Sequence, residues 1–255
     1  MKRVFLRAGR LWCAGLVLLG LRLAEFRTGF DPVTGLSLPG LPGRLAVAAV
    51  VVMALGELAA SLRLPGEKAA YGALFAPPER ETPALVAGGM LLAAGGALLA
   101  AQALPAQNFA ALAAGVLAAA SGLCLVLLTK RLRQGAEVTV APLLPSMFFG
   151  VFFVLTVYLP AENDPVLERY YMRVLAAALA ACSFALLAGF LRRESRPRTF
   201  VFTADLAVPA CMAAMASGGA GERLLFGGCA AVLSVFLLLR RDRTEAAPDI
   251  PAEEG

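Results

Sequence analysis

Histidine is missing from this chain, and tryptophan occurs once, as Trp12. Without histidine there can be no Ser-His-Asp triad, no HExxH zinc site and no imidazole ligand. Walker-type phosphate loops and GxSxG elbows are missing too. The loop carboxylates Glu67, Glu79 and Glu81 alternate with Lys68 and Arg80 as solvated charges do, instead of clustering for metal-dependent chemistry. No catalytic residue, cofactor or metal site is assigned, and the expectation is a protein that is not an enzyme. Cysteine is sparse and unpatterned: Cys13, Cys124, Cys182, Cys211 and Cys229 all fall in apolar stretches with no CxxC spacing, so they read as small packing residues.

Charge is also scarce. Only 16% of the residues are Asp, Glu, Lys or Arg, against about 25% in a soluble domain. The net charge of +5 sits in short clusters beside apolar runs. Those positions suit lipid headgroups, and no basic face interleaved with aromatics suggests nucleic acid as a partner. Long polar segments are lacking as well. The longest connections, 27–43 and 63–82, leave no room for an extramembrane domain.

What the chain does have is apolar sequence, at 59% of its 255 residues. It is gathered into runs at about 5–26, 45–62, 83–103, 108–129, 139–159, 166–191, 200–217 and 224–239. Each is close to the ~20 residues a helix needs to cross a ~30 Å hydrocarbon layer. The expected fold is all-α: a polytopic membrane protein of about eight transmembrane helices, forming one domain over 1–243 in a lipid bilayer. Residues 244–255 read as a disordered polar tail. The start resembles a signal peptide, but Arg22-Leu23-Ala24 is wrong for cleavage, so an uncleaved first helix is expected.

Orientation follows from charge asymmetry. Seventeen of the 23 basic residues fall on one set of alternate ends, including Lys130, Arg131 and Arg133, and Arg192, Arg193, Arg196 and Arg198. The positive-inside rule then places both termini in the cytoplasm, and with no eukaryotic targeting signal the plasma membrane reads as a bacterial inner membrane. Tyr158, Tyr170 and Tyr171 fall at the opposite boundary, where an aromatic belt belongs.

Two packing signals stand out. Small residues recur four apart in Gly88, Leu92, Gly96, Ala100 and in Gly89, Ala93, Ala97, and again in Ala110, Ala114, Ala118, Gly122. Such rows mark close helix contact, here a hairpin turning at 104–107. Leu117-Ala118-Ala119-Ala120-Ser121 also parallels Leu179-Ala180-Ala181-Cys182-Ser183, at the spacing of two tandem hairpins. Breaks are expected at Pro142 and Pro145, beside a ridge of Phe148, Phe149, Phe152 and Phe153. Further turns are expected at 31–35, Pro39-Gly40 and Pro42-Gly43, and Asp164-Pro165 is a helix-opening pair.

Ionisable residues inside the apolar runs carry the functional argument, because each costs roughly 2.5–3.5 kcal/mol at mid-bilayer. Glu57 and Asp205 each lie about six residues, or ~9 Å, from the basic end of their helix. Pro209 frees the Asp205 carbonyl from its helical partner, and the Thr203 hydroxyl is two residues away. Asp205, Glu57 and Thr203 are therefore a candidate ion or proton site, against the alternative that the acids snorkel or pair with Arg63 or Arg198. Arg22 and Glu25, three apart near the opposite surface, are a candidate polar pair. Two functions remain open. One is a non-transporting scaffold or accessory subunit binding partner helices of other membrane proteins. The other is a small-solute or ion transporter using Asp205 and Glu57.

Overall fold

A computed structural model describes residues 2–30, 40–64, 68, 71–75, 81–134, 139–161 and 170–240. Among them every regular element is helical. Eight helices are long: α1 (Lys2–Thr28), α2 (Leu41–Ser61), α4 (Thr82–Ala103), α5 (Phe109–Arg133), α6 (Leu144–Ala161), α7 (Tyr171–Leu191), α8 (Pro197–Ala214) and α9 (Ala220–Leu239). A single turn, α3 (Tyr71–Leu74), lies between α2 and α4. Five of the helices, α2, α4, α5, α7 and α9, are long and apolar enough to cross a membrane. The chain is a helical membrane protein.

Boundaries follow local chemistry. Pro42 and Gly43 do not break the chain as expected; they lie in the first turn of α2, where proline has no hydrogen-bonding amide to lose. The Asn108 side chain accepts from the Ala111 amide and caps α5. Pro142 does interrupt helix geometry, leaving a 3-10 turn at Ala141–Leu143 before α6. α8 begins at Pro197 and ends at Ala214, three residues earlier at each end than the apolar run suggests. The expected turn at 31–35, the Asp164-Pro165 pair, the residues Glu67, Glu79 and Arg80, and the tail at 244–255 lie outside the described residues.

Helices α4 to α9 form a closed ring in chain order, because α9 packs back onto α4. Glycine makes both contacts of α4 possible. Consecutive residues sit ~100° apart on a helix, so the doubled glycines at 88–89 and 95–96 supply one smooth stripe to each neighbour. Gly89 and Gly96 meet α5, and Gly88 and Gly95 meet α9. A methyl at Gly122 of α5 would lie 2.5 Å from the Ala93 nitrogen, and one at Gly228 of α9 would lie 2.6 Å from the Leu92 nitrogen. On each face the glycines recur every seven residues, with a four-residue step inside the row, from Gly89 to Ala93 and Gly96 to Ala100 toward α5 and from Gly88 to Leu92 toward α9, whereas Gly88 and Gly96 serve different partners.

The two hairpins expected to repeat also correspond in contact. Gly96 of α4 packs against Gly115 and Ala119 of α5, and Gly150 of α6 packs against Ala177 and Ala181 of α7. Ser121 and Ser183, at matching positions, each return their hydroxyl to the carbonyl four residues back, at 2.6 and 2.8 Å.

The ring is filled. One contiguous apolar cluster takes buried residues from all six helices, among them Leu92, Ala118, Phe153, Phe184, Val208 and Phe226. Of the expected ridge, Phe149 and Phe153 point inward, while Phe148 is half exposed. At the basic end Phe75, just after α3, is buried edge-on against Phe190, Phe200 and Phe236 of α7, α8 and α9. It also forms an isolated backbone bridge with Arg240. α1 and α2 stand outside the ring and pack chiefly on α8.

Candidate functional site

The intramembrane ionisable residues named from sequence lie on α1, α2 and α8, the helices through which the outer pair meets the ring. The basic end begins with Arg10 of α1, which forms an ion pair with Glu57 of α2. Glu57 is buried, while most of the Arg10 side chain is exposed. This partner is neither Arg63 nor Arg198, the two expected. The Arg198 guanidinium instead donates to the backbone carbonyls of Leu62, at 2.9 Å, and Leu64, at 3.4 Å, tying the start of α8 to the end of α2.

Asp205 is fully buried on the face of α8 that turns into protein. The expected clustering with Thr203 does not occur. Residues two apart on a helix point ~200° from one another, and the Thr203 hydroxyl donates at 3.0 Å to the carbonyls of Thr199 and Phe200 on its own helix. Glu57 and Asp205 lie on packed helices, α2 and α8, and Glu57 pairs with Arg10.

One turn beyond Asp205 is a partly open cavity of about 120 Å³. Leu18 of α1, Val50 and Met53 of α2, Leu175 and Leu179 of α7, and Leu206 and Pro209 of α8 line it. Every lining residue is apolar. A space of this kind stays dry unless an apolar group enters it.

Toward the opposite end, one turn past Leu18 on α1, stands Arg22. Arg22 is completely buried, and its guanidinium donates to Glu25 at 2.5 Å. That guanidinium lies 4.7 Å from the Phe26 ring centre and 4.3 Å from that of Tyr171, so aromatic faces replace water around the charge. Gly43, in the first turn of α2, leaves room for the Glu25 carboxylate: a methyl there would lie 2.8 Å from its Oε1. The pair thus joins α1, α2 and α7. The expected local i,i+3 pair is present, and it clamps three helices.

A further ion pair escaped the sequence reading. Arg173 of α7 meets Glu222 of α9, and Tyr170 places its ring 5.8 Å from the Arg173 guanidinium. The apolar run of α9 starts at 224, which left Glu222 outside any expected helix. The signal was Gly218-Gly219 followed by a carboxylate, which suits the first turn of a helix. Tyr170 and Tyr171 therefore each attend one arginine.

Cys211 and Cys229 are buried free thiols and the other three cysteines are also unbridged. Among the described residues no group of three potential metal ligands comes together. No family model matches the chain, and neither a curated protein nor a solved structure resembles it closely enough to register as a match.

Proposed function

We propose that this protein is a non-transporting scaffold or accessory subunit of a plasma membrane, binding partner helices within the bilayer. Its membrane is read as the inner membrane of a bacterium because no eukaryotic targeting signal is present in the sequence, and the charge asymmetry supports cytoplasmic termini. The observation that supports the reading is the shared apolar core: buried aromatic and aliphatic side chains from all six ring helices join in one cluster, and Phe75 packs on Phe190, Phe200 and Phe236 at the basic end. A carrier needs a polar path to mid-bilayer. Here the buried Glu57, Arg22 and Glu25 and the partly buried Glu222 all take part in ion pairs, and the cavity beside Pro209 is apolar.

α2 supplies the surface for partners. It packs on α1 and α8 and leaves Val47, Val51, Val52, Leu55 and Leu58 exposed along its length. The test is reconstitution into proteoliposomes under an imposed proton or sodium gradient. The expected result is no flux above protein-free vesicles. Asp205-dependent flux would establish the transporter instead, and full burial of Asp205 on the proline-bearing α8 is the one observation that favours that second reading.

A further inference from the structure

α8 is the most enclosed helix outside its first turn, and its exposure is confined to one strip. Between Pro197 and Ala214 every residue is buried except Arg198, Thr199, Phe202, Thr203 and Leu206. These positions follow the i, i+3, i+4 rule and so lie on one face. The strip starts at the basic end and runs into the apolar cavity, where Leu206 is a lining residue beside Pro209. α2 and α7 both pack on α8, and both line the cavity. The strip is thus the floor of a groove with those two helices as walls.

The mouth of this groove is strongly basic. Arg198 brings the ends of α2 and α8 together through its bonds to Leu62 and Leu64. Arg63 follows α2, while Arg192, Arg193 and Arg196 occupy the short turn between α7 and α8, and all four are exposed. Glu194, also exposed, is the carboxylate within that turn. The length fits as well. From Arg198 to Pro209 α8 rises about 16 Å at 1.5 Å per residue. One leaflet of a ~30 Å hydrocarbon core is ~15 Å deep.

We propose that this groove binds one anionic phospholipid of the leaflet at the basic end, its phosphate held by Arg192, Arg193, Arg196 and Arg63. One acyl chain follows the α8 strip, and its terminal segment fills the cavity beside Pro209. Charge complementarity selects the headgroup, and the dry apolar lining selects the chain. A zwitterionic lipid would satisfy only the second condition. The site is independent of whether the protein binds partner helices or moves a solute.

The test uses the full-length protein in phosphatidylcholine nanodiscs carrying a minor fraction of a photoactivatable lipid. The diazirine sits near the chain end, on either phosphatidylglycerol or phosphatidylcholine. Phosphatidylglycerol should label peptides covering 50–57 and 202–212 well above the exposed apolar face of α5 at Val116, Leu123 and Leu127. The Arg192→Gln, Arg193→Gln, Arg196→Gln triple variant changes exposed side chains and should keep its thermal unfolding temperature in phosphatidylcholine. It should lose at least about fivefold of the phosphatidylglycerol labelling, the worth of one basic residue near an anionic headgroup. Labelling spread evenly over α5 and the groove would overturn the proposal. So would equal labelling of the groove by the two lipids, or a triple variant that keeps the preference for phosphatidylglycerol.

Discussion

Arg22 shows how a single residue can be expensive and still be retained. A guanidinium sealed from water costs several kcal/mol, which its carboxylate and two ring faces offset. Removing only the carboxylate should therefore hurt more than removing both charges. Glu25→Gln is expected to destabilise the protein by about 3–5 kcal/mol, whereas Arg22→Met with Glu25→Leu should be near neutral. Thermal unfolding in detergent would distinguish them, and equal losses would mean that the pair is solvated. Thr203→Val belongs to the same scale. Its hydroxyl only returns to its own helix, so the change should stay within about 0.5 kcal/mol. The residues bearing charge were legible in the sequence because charge inside an apolar run is conspicuous. Their partners were not, since Glu57 finds Arg10 forty-seven positions away and only packing decides such a pair.

At the level of helices, the doubled glycines of α4 determine which neighbours can approach. Gly96→Leu would drive a side chain into the α5 backbone near Ala118 and Ala119, and should cost several kcal/mol. Leu98 is 41% exposed, so Leu98→Ala should cost under about 1 kcal/mol. Equal unfolding temperatures for the two variants would contradict the packing described. That these helices touch could be read from small residues, but the seven-residue period could not, because an alanine-rich run also offers spacings of four. α3 was invisible for a different reason. A single turn has no periodicity, and Phe75 is held by rings from three distant helices. Burial beside it pushes the Tyr71 phenol up from its ordinary value near 10. The folded state then holds that proton longer than the unfolded one, so its contribution is complete below about pH 10 and is lost as pH rises further. Tyr71→Phe should flatten the fall in stability above that pH, as followed by thermal scans across an alkaline series.

For the whole molecule, the charge count translates into a labelling pattern. Single cysteines at 106 and 220, in an otherwise cysteine-free chain, should react with a membrane-impermeant maleimide from outside the cell, and those at 134 and 195 should not. Reaction at 134 would reverse or dismantle the proposed topology, since Lys130, Arg131 and Arg133 are its firmest anchor. The number and order of the helices were legible because apolar runs bounded by charge need no tertiary information. The separation into a ring and an outer pair was not, because every run is apolar enough to face either lipid or protein. In α9, for example, Phe226, Leu233 and Phe236 are wholly buried although nothing in their spacing sets them apart from the lipid-facing leucines of α2.

The closing contact between α9 and α4 also imposes a schedule on synthesis. Gly88 and Gly95 are translated more than a hundred residues before Gly221 and Gly228, which are their eventual neighbours. At 5–20 residues per second, α4 waits roughly 6–25 s with that stripe bare. During this interval the stripe is open to any small-residue helix in the membrane. A ribosome stalled within α9 would leave a hexagon with one side missing.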